Sequence, residues 1–123
     1  MQTIVDINPL KSGKLAAYKA FVAEIIGPRK REFSDLLTRY SLKTANAYHH
    51  RIQDVDFIIV VHLAEDDARA RLEKFMTSTH PMDQWFAEQL NDLHDFTPLN
   101  GAEQASNLLF NFDVQTQELK TFL

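Results

Sequence analysis

Apolar residues recur along the chain with two different periods, and the change from one to the other marks the elements. Thr3 to Ile7 reads as a short strand that Asn8-Pro9 interrupts. Leu15, Tyr18, Phe21, Val22 and Ile25 then follow at spacings of three and four, the spacing of one helix face, beginning just after Ser12-Gly13. Gly27-Pro28 breaks that helix, because Gly suits a helix end and Pro the first position of the next. Phe33, Leu36, Leu37 and Tyr40 form a second stripe. Ala45 to Arg51 and Phe57 to Leu63 read as two strands of a hairpin about Gln53-Asp54-Val55-Asp56, the second rich in β-branched residues. Glu65, Asp66 and Asp67 favour the positive end of a helix bearing Ala68, Leu72, Phe75 and Met76. Another helix follows Ser78-Thr79-His80-Pro81, with Met82, Trp85, Phe86, Leu90 and Leu93 as its stripe. Beyond a turn at Pro98-Leu99-Asn100-Gly101, Leu108, Phe110, Phe112 and Val114 alternate with mostly polar residues as in a half-buried strand.

The resulting order is β, α, β, β, α, β with each helical unit split in two. It predicts an α+β domain of ferredoxin-like βαββαβ topology, with a four-stranded antiparallel sheet over residues 1–114 and a C-terminal tail over 115–123. The segment from Phe57 to Leu63 is apolar on both faces, so the face turned away from the helices needs a cover. A second copy of the chain, joined by a two-fold contact of sheet faces, supplies one, and the apolar tail ending in Phe122 and Leu123 reaches across to that partner.

Composition narrows the chemistry. The 123 residues fit one domain. With no cysteine, disulfide frameworks, zinc-thiolate sites and thiol nucleophiles are excluded. A formal charge of -4 disfavours non-specific binding to nucleic acid or to anionic lipid. The first residues show neither a basic region nor a long apolar run, and the longest such run in the chain, Phe57 to Val61, is too short to span a bilayer. A cytoplasmic protein is the simplest expectation.

Several local features carry a family likeness: the helix start from Lys11 to Leu15, Gly27-Pro28-Arg29 at the break, the hairpin from Tyr48 to Leu63, and Asp83-Gln84-Trp85-Phe86 with His94 beyond. Over residues 2–112 the chain resembles the dimeric α/β-barrel group of ferredoxin-like proteins, in particular a family of small uncharacterised bacterial proteins. The resemblance implies a homodimer in which two four-stranded sheets pack together. It implies no single reaction, since the group spans cofactor-free monooxygenases, isomerases, haem enzymes and proteins without assigned activity.

Candidate chemistry concentrates in the hairpin. Pairing about its acidic turn sets Asn46 near His62, Tyr48 near Val60 and His50 near Ile58, which gathers two histidines and a tyrosine on one face. A slip of one residue would bring His49 inward instead. Two readings stand. In the first, a neutral imidazole of His62 or His50 acts as a base on a bound substrate while Tyr48 orients it; in the second, the same side chains only pack. Arg29, in Arg29-Lys30-Arg31 at a helix start, is the candidate for holding a carboxylate or phosphate, whether of a ligand, of Glu32 or Asp35, or of another subunit; the alternative is a solvated charged turn. Trp85 and Phe86 belong to the core stripe; alternatively Phe21, Met82 and Trp85 line a slot between helix and sheet. The histidines lack the spacing of a helical metal motif, although His50, His62 and Asp6 can converge through the fold, and no metal or other cofactor is expected. No nucleophile elbow or glycine-rich phosphate loop is present, and three glycines leave little room for one.

The function these residues favour is binding of a small apolar or amphipathic, fatty-acid-like molecule between helix and sheet. Phe21, Ile58, Val60, Met82 and Trp85 would form the lining, and Arg29, His50 or His62 would meet the acid group. Cofactor-free enzymatic activity is open in that reading. The alternative is a structural or regulatory dimer without ligand or catalysis.

Overall fold

The computed structural model describes residues 1–97 and 104–123. The chain runs β1 (Gln2–Pro9), α1 (Leu15–Ile26), α2 (Lys30–Arg39), β2 (Asn46–Ile52), β3 (Val55–Ala64), α3 (Ala68–Leu72), a 3-10 turn (Phe75–Thr77), α4 (Pro81–Leu93), β4 (Phe110–Phe112) and β5 (Leu119–Thr121). The Pro98-Leu99-Asn100-Gly101 turn lies outside the described residues.

Local chemistry accounts for the element boundaries. A Cβ added at Gly27 would sit 2.7 Å from the Ala23 carbonyl oxygen, so the close turn between α1 and α2 admits only glycine without rearrangement. At α4 Pro81 occupies the first turn, and His80 caps it by accepting a hydrogen bond from the Met82 amide at 3.2 Å. Between β2 and β3 only Gln53 and Asp54 remain outside the ladder, and Gln53 takes a φ of 51° to close the turn.

Among the described residues the four-stranded ferredoxin-like sheet is not formed. The main sheet has three strands in the order β1-β3-β2, both pairings antiparallel, and β4 and β5 make a separate two-stranded sheet. The expected fourth strand, residues 108–114, shrinks to Phe110–Phe112, is exposed throughout, and pairs with Leu119–Thr121 rather than with β1. Two observations explain the departure. The Gln104 amide occupies the free edge of β1 as a neighbouring peptide would: its Oε1 accepts from the Ile7 amide at 2.8 Å, and its Nε2 donates to the Ile7 carbonyl at 2.9 Å. Ser106 Oγ adds a bond to the Val5 carbonyl. Meanwhile the Asp113 carboxylate accepts from the Gln115 and Thr116 amides, nucleating a local turn whose closure costs less chain entropy than a distant pairing. With four strands goes the dimeric α/β-barrel architecture that requires them.

One face of the main sheet carries the helices. Ile4, Leu36, Tyr40, Leu42, Ala64, Ala68 and Met82 form one buried cluster, and Leu10, Tyr18, Phe21, Ile25, Ile58 and Leu93 a second; Phe33, Trp85 and Phe86 pack against both. The opposite face presents three rows across the strands: Val5, Val61 and Asn46; Ile7, Ile59 and Tyr48; Pro9, Phe57 and His50. Of these only Pro9 is buried, and Tyr48 is 58% exposed. None belongs to either core cluster.

Candidate functional site

Alternation along β1 and β3 decides which side chains meet the helices. On β1, Ile4, Asp6 and Asn8 face inward opposite His62, Val60 and Ile58. Between this surface and α1, α2 and α4 lies a cavity of about 380 Å³. Its walls are mostly apolar, with Phe21, Val22 and Ile25 from α1, Phe33, Leu36 and Leu37 from α2, Phe86 and Leu90 from α4, and Ile58 and Val60 below. Polar side chains enter at Asp6, Asn8, Tyr18, His62 and His94. A shallower hollow of about 200 Å³ adjoins it and shares Tyr18, Val22, Ala47 and Ile58, adding Lys19, Tyr48 and His49.

The two cavity histidines are held in defined tautomers. His62 Nδ1 lies 2.9 Å from the Thr44 carbonyl, and His94 Nδ1 lies 3.2 Å from the Pro9 carbonyl. A carbonyl can only accept, so each Nδ1 carries a proton and each neutral ring offers Nε2 as a lone-pair acceptor. Burial lowers the His94 pKa and favours the neutral ring; the bond to Pro9 pulls weakly the other way. Burial likewise raises the pKa of the Tyr18 phenol.

Four of the expected site residues meet here: Phe21, Ile58, Val60 and His62. The others lie elsewhere. The hairpin register is displaced by one from the expected pairing, with Tyr48 opposite Ile59, His49 opposite Ile58 and His50 opposite Phe57. The cause is the two-residue turn, which puts an odd step where a pairing of Tyr48 with Val60 needs an even one. Tyr48 and His50 therefore lie on the open sheet face, while His49 turns inward and bonds Asp56 at 2.8 Å. Arg29 stacks on Trp85 at 3.9 Å and bonds Glu24 and Glu32, each at 3.1 Å, so its fork is already engaged. Trp85 packs beside Phe21 with ring centres 5.8 Å apart without lining the cavity, and Met82 is buried in the first core cluster. The convergence of His50 with His62 and Asp6 fails because His50 faces away; among the described residues no group of three metal-ligating side chains forms.

Reasoning from the sequence missed Asn8 and His94 as cavity residues, and Asp6 only entered through the metal option. The signal was present: Asp6 and Asn8 occupy alternate positions of a strand whose partner is apolar on both faces. A second polar centre was missed entirely. Asp83, 1% exposed, accepts from Arg39 Nη1 and Nη2 at 2.8 and 2.7 Å, from the Tyr40 hydroxyl at 2.6 Å and from Ser78 Oγ at 2.7 Å. These bonds saturate it, which marks a structural tie between α2 and α4.

Compared with known family models, curated proteins and solved structures, the chain matches none. Among the described residues no helix is long and apolar enough to cross a membrane.

Proposed function

We propose that this protein binds a small amphipathic molecule, apolar tail inward, in the cavity between the helices and the inner face of the sheet. The observation that supports it is the cavity itself. Domain interiors close around voids larger than a water molecule, whereas ligand sites run to about 300–1,000 Å³ with apolar walls and a few polar groups. The space beside Phe21, Ile58 and Val60, about 380 Å³ with Asp6, Asn8 and His62 on its floor, has that character. Arg29, the cation first assigned to an acid head, is occupied by Glu24 and Glu32, so the head group is chosen by the polar floor. Where turnover accompanies binding, Nε2 of His62 is the base, its ring held by Thr44.

Nile red fluorescence and native mass spectrometry of gently purified protein test this reading. The dye should brighten with wild type, and Val60→Phe, which fills the cavity, should abolish the signal while leaving the circular dichroism unchanged. Equal fluorescence from both proteins would overturn it.

A second reading concerns assembly and follows from two apolar surfaces on one chain. The open sheet face carries Val5, Ile7, Ile59, Val61 and Tyr48, and the β4–β5 hairpin exposes Phe110 at 61% and Phe122 at 60%. A lone two-stranded hairpin has no core to hold it and needs a surface to lie on. A second copy offers that surface, and a homodimer buries both patches at once. Analytical ultracentrifugation should find a dimer for the full chain and a monomer for a chain ending at residue 107. A monomeric full chain would remove this reading.

A further inference from the structure

We propose that the ligand taken by the cavity is an amphipathic amine, with its ammonium head on Asp6 and its tail between Phe21 and Val60. The inference rests on the cavity being a ligand site and names what that site selects.

Its ground is charge and hydrogen-bond supply. Asp6 is the one formally charged side chain among the described cavity-lining residues, and no lysine or arginine joins it. It is half-buried opposite Val60, and its carboxylate makes no hydrogen bond to any described residue. Its neighbour Asn8 already has its Oδ1 taken by Gln104 Nε2 at 2.9 Å. His62 and His94 spend their Nδ1 protons on backbone carbonyls and turn lone pairs to their other side. Burial of His94 strengthens that bias by holding its ring neutral. Tyr18 can donate or accept and does not discriminate, while Asn8, its Oδ1 engaged, keeps an Nδ2 donor that the charge of Asp6 outweighs. A carboxylate ligand would bring like charge beside Asp6 and find lone pairs facing its own. An ammonium brings three donors and the complementary charge to a site where water is scarce, and charge-assisted bonds there are the strong ones. One cation that could reverse the preference is Lys19, which lines only the adjoining hollow.

Isothermal titration of the full chain at neutral pH with octylamine, octanol and octanoate gives the test. Octylamine should bind about ten-fold or more tighter than octanoate, the equivalent of about 1.4 kcal/mol. Asp6→Asn should remove its advantage over octanol and leave octanol within about two-fold. Octanoate binding tightest, and losing affinity in Lys19→Ala, would overturn the amine assignment, as would equal affinities for all three. If Val60→Phe abolishes binding in either of those cases, the cavity stands as the site and only the head-group assignment is lost. Binding of none of the three would remove both. The wild-type ranking decides the matter even if Asp6→Asn does not fold.

Discussion

At Asp83 four donors converge on one buried carboxylate, and the two sides of its ion pair are unequal. Burial would raise its pKa, but the bonds from Arg39, Ser78 and Tyr40 outweigh that and hold it well below the usual carboxylate range. Arg39 is partly exposed and has a second acceptor in Asp35, whereas Asp83 has no exposure to water. Arg39→Met, which strands the charge, should therefore destabilise by about 3–5 kcal/mol, and Asp83→Asn by clearly less. Urea denaturation of both variants checks the order, and the reverse order would refute it. His94 makes a pH-dependent contribution of known sign. It sits between Tyr18 and Phe96, with ring centres at 5.7 and 5.4 Å, and desolvation lowers its pKa from the ordinary 6.5. The unfolded chain thus takes up the proton first as pH falls. Its stabilisation is full above about pH 6.5 and declines as pH drops through that value towards the folded-state pKa. The thermal midpoint should fall between about pH 7 and 5, and His94→Gln should show a smaller fall. Identical profiles would refute it.

Helices and strands were legible in the sequence because each is specified by its own period. The stripes from Leu15 to Ile25, Phe33 to Leu37 and Met82 to Leu93 lie on helices, Tyr40 caps α2, and the break at Gly27-Pro28 falls between α1 and α2, whereas the stripe from Ala68 to Met76 divides between α3 and the 3-10 turn. Register was not legible. It depends on whether Val55 and Asp56 belong to the turn or to the strand, and the β-branched side chain of Val55 and the bonds of Asp56 to His49 and Arg51 draw both into β3. That difference of one residue sent Tyr48 and His50 to the far face and left His62 alone of the three expected catalytic groups in the cavity. The tight turn leaves Gln53 at positive φ, a conformation that asparagine tolerates better than glutamine. Gln53→Asn should stabilise by about 0.5–1 kcal/mol, read as a raised denaturant midpoint. A lowered midpoint would show that the Gln53 side chain contributes more than its backbone costs.

For the whole molecule, alternation correctly marked Phe110 and Phe112 as strand yet could not say which edge they would join. A period identifies an element; its partner depends on what else competes for the same edge, here one glutamine amide and one aspartate-closed turn. The cavity was foreseeable only in outline, since Phe21, Ile58 and Val60 follow from periodicity, whereas the inward setting of Asp6 and His62 follows from the pairing of β1 with β3. That pairing also fixes the order of assembly during synthesis. β1 is made before β3, yet its rungs run from Pro9 with Phe57 to Gln2 with Ala64, so none can form until the chain has been extended through α1, α2 and β2. Its neighbour on the other side of the sheet, β2, is separated from β3 by two residues and meets no such delay. β1 is thus obliged to wait, with Ile4, Val5 and Ile7 unsheltered, for a partner that already has one neighbour in hand.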